Sequence, residues 1–494
     1  MKYISTRDNS PSPASLSAAE AIKRGLASDG GLFIPAEIPA LTHGDMEKLL
    51  DMDYAERAAY ILSLFLTDYD KAALAEDCAK AYAADRFPGG AAPLHPIADG
   101  IHSLELWHGP TCAFKDMALQ IMPRLLSRAL KMTGEEKTAY ILVATSGDTG
   151  KAALEGYIAV DGVKMVVFYP DEGVSRMQKM QMTTQEGSNV YVAAVEGNFD
   201  DAQSGVKAIF SDAELAKKAE EAGFFFSSAN SINWGRLVPQ VVYYVSAYCD
   251  LLKNGTIRNG DEIVVCVPTG NFGNIFAAYI AREMGLPIGH MVCASNANNV
   301  LTDFIETGVY DKTREFHKTM SPSMDILISS NLERLLYKLC GADVTKDLMA
   351  ALNKDGKYTV PAEIMEKLRA VFSGYYLTEE ETADVIKSTF ADHGYLVDPH
   401  TAVGLGCVHK YRAASGDNRP VVLASTASPY KFAADVCASL DIDTDGMEIE
   451  EILHTLAEKT DTEIPAPLLR TLTLPVRFTE VVKPCEMAAV PFRH

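Results

Sequence analysis

The chain has 494 residues, 48% apolar and 22% charged, with a formal net charge of −21. That composition is ordinary for a soluble globular protein, and the length calls for several lobes rather than one core. With no basic block and no aromatic-interleaved Lys/Arg stripe, nucleic acid is excluded as a partner. An anionic ligand must be held by a local cationic site. No uninterrupted run of about 18 apolar residues occurs, so no membrane span is expected. Nine cysteines, an odd number without a CxxC pair, read as reduced thiols. The N-terminus shows neither an apolar signal core nor a transit pattern. Together these predict a cytoplasmic protein. Nothing has metal-site spacing.

Residues 1–95 predict a mainly helical N-terminal domain. A helix is expected over Ser15–Gly25, a turn entering a short apolar strand over Leu26–Pro35, and three helical patterns between Thr42 and Ala84. Pro88, Gly89, Gly90, Pro93 and Pro96 then mark a linker. From 96 to 435 strands alternate with helices. Strands are predicted at Ser103–Trp107, Thr138–Ala144, Lys164–Pro170, Val190–Val195, Glu262–Pro268, Met291–Ala294 and Pro420–Ala424. Helices are predicted at Ala113–Leu130, Thr149–Ala159, Arg236–Leu252 and Asn274–Met284. This is an α/β body whose βαβ units imply buried parallel sheets, divided into two lobes. A helical, charge-mixed insertion is expected over about 300–395, and residues 436–494 form a tail packed along the body.

Four stretches carry chemistry. In His108-Gly-Pro-Thr-Cys-Ala-Phe-Lys-Asp116 a turn leads from a strand into a helix, placing Lys115 at the helix start. There the positive end of the dipole favours the neutral amine needed to attack a carbonyl. In isolation this would read as a surface lysine. The loop Ala144-Thr-Ser-Gly-Asp-Thr-Gly-Lys151 joins a buried strand to a helix, where hydroxyls and free N–H groups can seat a carboxylate or phosphate. Val267-Pro-Thr-Gly-Asn-Phe-Gly-Asn274 repeats that arrangement, with glycines that let N–H groups converge on an anion. It is neither a Walker loop nor a dinucleotide fingerprint. Ala424-Ser-Thr-Ala-Ser-Pro-Tyr-Lys431 ends the last strong strand. Each loop alone reads as a turn and helix cap. Two anion seats, a reactive lysine and a hydroxyl-bearing loop together point to a phosphate-bearing aldehyde cofactor, pyridoxal 5'-phosphate.

The lysine motif closely resembles that of the threonine synthase family, fold-type II pyridoxal-phosphate enzymes of tryptophan synthase β-like architecture. Lys2-Tyr-Ile-Ser-Thr-Arg, Leu26-Ala-Ser-Asp-Gly-Gly-Leu-Phe-Ile-Pro, Thr145-Ser-Gly-Asp-Thr-Gly, Asn230-Ser-Ile-Asn, Gly270-Asn-Phe-Gly-Asn and Asp398-Pro-His-Thr-Ala-Val-Gly are similar to its other landmarks, in order along the chain. The resemblance implies that Lys115 holds the cofactor as a Schiff base and shuttles protons. It also implies that Gly270, Asn271, Phe272, Gly273 and Asn274 cradle the cofactor phosphate, and that Thr426 faces the pyridine nitrogen. Phe114 packs beside the ring, and Asp148 lies near the cofactor hydroxyl. The implied substrate is O-phospho-L-homoserine. Asn230, Ser231, Arg236 and Thr149 would hold its phosphate, and Ser146 with its neighbours its carboxylate. Arg236 read alone is a helix-surface arginine. Ser428 stands where many relatives carry histidine, leaving Thr426 and Lys431 in register. His108 and His400 read as hydrogen-bonders at turns. A phospho-amino-acid lyase giving a 2-oxo acid is the alternative reaction, and an inactive binding homologue the remote one. A monomer or homodimer is expected.

Overall fold

Two buried sheets organise the computed structural model, which describes residues 1–145, 147–171 and 174–494. The smaller is five-stranded and takes Val481–Val482, Val190–Val195, Val163–Pro170, Thr138–Ala144 and Phe224–Ser227 in that order, all parallel. The larger is six-stranded and takes Phe372–Tyr376, Ile288–Ser295, Ile263–Pro268, Val421–Ser425, Ile101–Glu105 and Leu94–Ala98. Its strands run parallel except for the edge hairpin that pairs 94–98 with 101–105. The central strands are buried along their length, Ile263–Pro268 and Val421–Ser425 at every residue. They therefore read as continuous apolar runs rather than alternating ones. Each valine so enclosed contributes about 1.5–3 kcal/mol, and a charged replacement at Val265 would break the centre of the larger sheet.

Proline decides where the sequence and the fold differ along two helices. The span Ala113–Leu130 is not one helix but Asp116–Leu119 followed by Met122–Met132, with Pro123 in the first turn of the second. Pro239 likewise separates Trp234–Leu237 from Pro239–Lys253. In each case the missing N–H suits a helix start and cannot continue the preceding turn. The 300–395 segment is helical over Val300–Thr307, Leu332–Asp355 with a break at Gly341, Ala362–Arg369 and Glu379–His393, but it also supplies Phe372–Tyr376 to the edge of the larger sheet. Gly374 in that strand masked the signal. It is there because a Cβ would lie 2.8 Å from the Thr302 Cα.

The N-terminal helices Ala18–Arg24, His43–Asp51, Tyr54–Phe65 and Lys71–Ala81 pack on the body. Buried Arg57 reaches Asp250 at 2.7 Å and Ser246 Oγ at 2.8 Å on the long 239–253 helix. Arg7 pairs with Glu333 at 2.7 Å. The tail crosses back to the smaller sheet, where Val481 and Val482 pair with Ala194 and Val195. No helix among the described residues is long and apolar enough to cross a membrane.

Candidate active site

Lys115 is delivered by the turn that leaves strand Ile101–Glu105. Cys112 takes a left-handed φ of 58°, its carbonyl accepts the Ser428 N–H at 3.1 Å, and the Phe114 N–H donates to the Thr426 carbonyl at 2.8 Å. The 426–428 loop thus runs beside the lysine turn, bridged antiparallel at Ala113 and Ala427. Lys115 is 9% exposed. Its Nζ lies 4.9 Å from the Phe114 ring centroid, 3.4 Å from Ser323 Oγ and 3.7 Å from Asp148 Oδ2. Asp148 opens the Asp148–Tyr157 helix and is buried among donors. Its Oδ1 meets Lys431 Nζ at 2.7 Å and accepts from Gln178 Nε2 at 3.0 Å, while Oδ2 accepts from Ser323 Oγ at 3.2 Å. Lys431 also donates to the Thr111 carbonyl at 2.9 Å.

Burial pushes the Lys115 ammonium down to about 8, with Asp148 opposing and Arg236 and Lys431 adding repulsion. A fraction of the amine is therefore neutral near pH 7, as carbonyl attack requires. The expected cause was the helix dipole. The Asp116–Leu119 helix is a single turn, and burial leads the causes of the lowering. For Asp148 burial alone would raise the carboxyl, but Lys431, Lys115 and the hydrogen bonds hold it below the usual carboxylate range.

The 270–274 loop lies against the same group of side chains. A Cβ on Gly270 would sit 2.7 Å from the Ser323 carbonyl oxygen. Ser329 Oγ donates to the Gly270 carbonyl at 2.7 Å, and the Asn331 N–H and Nδ2 both donate to the Asn271 carbonyl at 3.0 Å. Phe272 sits at φ 61°, a conformation that turns the chain into the Gly273–Glu283 helix. Asn274 Oδ1 accepts from the Tyr243 hydroxyl at 2.8 Å and from the Tyr244 hydroxyl, leaving Nδ2 buried without a partner.

The 144–151 loop differs from its reading as an open anion seat. The Thr145 hydroxyl accepts the Gly147 and Gly150 N–H groups at 3.0 and 2.9 Å, so it caps the helix internally. Ser146 lies outside the described residues. Thr149 is half-buried, its hydroxyl without a hydrogen-bond partner among the described residues. Ser231 Oγ accepts from Asn331 Nδ2 at 3.1 Å, and its Cβ lies 3.6 Å from where a Gly273 Cβ would stand. Asn230 is half-buried, and no hydrogen bond joins its side chain to the others among the described residues. Arg236 is not on the helix surface as its isolated reading suggested. It is 5% exposed, donates to the Ala229 carbonyl at 2.8 Å and has no carboxylate counter-ion among the described residues. Burial pushes it down to about 10, yet it stays cationic at neutral pH.

Two residues assigned no role from sequence, Ser323 and Gln178, stand in the centre, and Lys431 proves to be the main counter-ion of Asp148. Ser323 follows Ser321-Pro322 in a segment that read only as part of an insertion. His400 fixes it in place. His400 Nδ1 lies 2.7 Å from Asp398 Oδ1, and Nε2 accepts the Ser323 N–H at 3.1 Å. His400 thus does act as a hydrogen-bonder at a helix start. His108 stacks on Trp107 and bonds Glu105 at 2.7 Å. No group of side chains among the described residues could hold a metal.

The residues present fit pyridoxal phosphate. A depressed, buried lysine stands beside a glycine loop with an orphaned amide donor and beside Thr426, whose hydroxyl has no hydrogen-bond partner among the described residues. Residues 2–82 match the family model "Threonine synthase N terminus", and residues 103–426 match "Pyridoxal-phosphate dependent enzyme". Threonine synthase-like 1 of Pongo abelii is 41% identical over 457 residues, covering 89% of this chain, which spans 61% of that relative's length. Threonine synthase of Pseudomonas aeruginosa is 39% identical over 438 residues, covering 87% of this chain and 89% of its own. The crystal structure of pyridoxal-phosphate-bound threonine synthase from Brucella melitensis superposes with a TM-score of 0.86 at 36% identity, over 98% of this chain and 97% of that one. The α/β architecture of two sheet-based lobes, the lysine turn and these likenesses place the chain in the threonine synthase family of pyridoxal-phosphate-dependent enzymes.

Proposed function

We propose that the protein converts O-phospho-L-homoserine and water to L-threonine and phosphate. Residues 1–95 would serve as the N-terminal domain, 96–435 as the catalytic body and 436–494 as a tail packed on it. The observation that carries the reaction is Arg236, a buried cation with no carboxylate partner among the described residues and close enough to repel Lys115. It supplies an anion seat beyond the 270–274 loop. A substrate bearing its own phosphate would complete it with charge-assisted, bidentate bonds. Ser231 and Thr149 would add hydroxyls, Asn230 an amide, and Ser146 would help hold the substrate carboxylate.

Bound pyridoxal phosphate would supply an electron sink for the bonds at the substrate's α carbon. Lys115 would anchor it covalently, the 270–274 N–H groups and Asn274 Nδ2 would take its phosphate, and Asp148 would lie near its hydroxyl. Thr426 would offer a neutral hydroxyl to the ring nitrogen, tempering the sink so that chemistry can move on to the β and γ carbons. The neutral Lys115 amine would remove a proton from Cα and then one from Cβ. Phosphate leaves Cγ with the bonding electron pair, water gives hydroxyl to Cβ, and protons return to Cγ and Cα. Phe114 against the lysine limits water around the amine. The nine cysteines are free thiols, which suits a cytoplasmic setting.

Incubating the cofactor-loaded protein with O-phosphohomoserine and identifying the product tests this reading. Threonine supports it, and 2-oxobutyrate with phosphate as sole products replaces it with the lyase. The likeness to proteins named threonine synthase-like 1 keeps that second reaction in view.

A further inference from the structure

We propose that Asn331 is a positioning residue that sets both anion seats with one amide group. It turns the Phe272 N–H toward the cofactor phosphate, and it leaves the Ser231 hydroxyl only its proton to give to the substrate phosphate. The inference rests on the reading of the 270–274 loop and of Ser231 as parts of the two phosphate seats.

Asn331 stands in the cap position of the Leu332–Asp355 helix, where an asparagine ordinarily turns its side-chain oxygen onto the first free N–H groups. Here it makes no such bond. The side chain is instead fully buried and serves three other segments. Its Oδ1 accepts from Arg334 Nη1, and its Nδ2 donates to the Asn271 carbonyl at 3.0 Å and to Ser231 Oγ at 3.1 Å. Ser330 Oγ, at 3.4 Å from Nδ2, is the more distant third. The two ends of this amide cannot be exchanged. A guanidinium only donates and a carbonyl only accepts, so Arg334 must face the oxygen and Asn271 the nitrogen. Arg334 is itself enclosed and held, its Nε donating to the Phe33 carbonyl at 2.9 Å and its Nη2 to the Ile232 carbonyl at 2.6 Å.

That fixed orientation acts on each seat. Across a trans peptide the C=O and N–H point in opposite directions. The Asn271 carbonyl is held twice by Asn331, through Nδ2 and through the backbone N–H, both at 3.0 Å. The Phe272 N–H of the same peptide is therefore aimed the other way, and it has no acceptor among the described residues. At Ser231 the amide occupies the hydroxyl oxygen as an acceptor. The hydroxyl hydrogen finds no acceptor among the described residues and is the part left for a ligand. A phosphate oxygen requires that donor; a serine whose proton was already taken would meet it with lone pairs.

Asn331→Asp keeps the size of the side chain and its bond to Arg334, and it changes Nδ2 from a donor to an acceptor. The carboxylate then takes the Ser231 proton and opposes the Asn271 carbonyl, while its charge is paired with Arg334. Calorimetry with inorganic phosphate on the cofactor-loaded protein should show a Kd about tenfold higher. Absorbance titration of the full chain stripped of cofactor should show a Kd for pyridoxal phosphate about fivefold higher. Ser231→Ala separates the two arms. In that background Asn331→Asp should weaken phosphate binding by less than about twofold, while the loss for pyridoxal phosphate persists. Asn331→Ala, which brings in no charge, should weaken both ligands by about threefold with the same dependence on Ser231, and it stands in if the aspartate variant does not fold. Unchanged binding of either ligand in the variants that fold, or a phosphate loss that survives Ser231→Ala undiminished, overturns the proposal. Ser231→Ala alone is the separate check on the underlying reading. If it leaves the phosphate Kd unchanged, Ser231 is no part of that seat, and the proposal falls with the reading.

Discussion

Replacing Lys431 with Met tests how the site holds its buried charge. The Lys431–Asp148 pair is 2.7 Å long, with side chains 0% and 3% exposed, so deletion of the cation strands a carboxylate in the interior. Breaking such a pair from one side costs about 3–5 kcal/mol. Asp148 would retain Gln178 Nε2 at 3.0 Å, Ser323 Oγ at 3.2 Å and Lys115 at 3.7 Å, which sets the expectation at the lower end, about 3 kcal/mol. Adding Asp148→Asn to Lys431→Met removes both charges and should restore most of the loss. Urea unfolding followed by the fluorescence of Trp107 and Trp234 measures each variant. The pH dependence has a definite sign. The Asp148 carboxyl is held below its ordinary value, so its share of stability is present above the unfolded value of about 3.9 and is lost as pH falls toward the folded one. The gap between wild type and Lys431→Met should therefore close below about pH 4. A loss under about 1 kcal/mol, the scale of an exposed pair, would refute the reasoning, as would a double variant no more stable than the single one.

Arg236→Met should weaken phosphate binding by roughly 10- to 150-fold, the scale of lost charge-assisted bonds, yet leave urea stability unchanged or higher, because the native guanidinium is buried without a counter-ion. Calorimetry with inorganic phosphate and the same unfolding assay would check the pair, and a clear loss of stability would show Arg236 to be structural. Gly270→Ala drives a Cβ to 2.7 Å from the Ser323 carbonyl; at about 1–3 kcal/mol, the Kd for pyridoxal phosphate should rise roughly 5- to 150-fold, read by absorbance titration. With the lysine lowered to about 8, the rate at which stripped protein takes up pyridoxal phosphate should climb through pH 8 and level off, not climb through about 10.4 as for a free lysine. The same depression makes the unfolded chain bind the extra proton between those values, so folding stability should rise with pH across that interval.

The family was legible because the turn carrying Lys115, the strand before it and their companions along the chain form a long ordered set of motifs. The large-sheet strands were legible because Ile263–Pro268 and Val421–Ala424 are continuous apolar runs. What the sequence hid was distance. Ser323 lies 208 positions from Lys115, and no local pattern joins Asp148 to Lys431. It also hid the cause of the lysine's lowered basicity, since burial is a property of the finished interior and the dipole argument needed a helix that Pro123 interrupts. Thr145 looked like a free hydroxyl, and only the fold shows it spent on two N–H groups of its own loop.

The tyrosine hydroxyls on Asn274 have a consequence for ligand choice. With its carbonyl oxygen engaged, the Asn274 side chain can present only N–H, and the Gly270 and Asn271 carbonyls are taken by Ser329 and Asn331. Such a seat is one-signed: a ligand group carrying its own proton sets a donor against donors. A phosphate monoester, whose second proton leaves near pH 6, would be taken bare at neutral pH and would regain that proton in acid. The seat should thus loosen its hold on acidification through the chemistry of the ligand alone, with no side chain of the protein titrating.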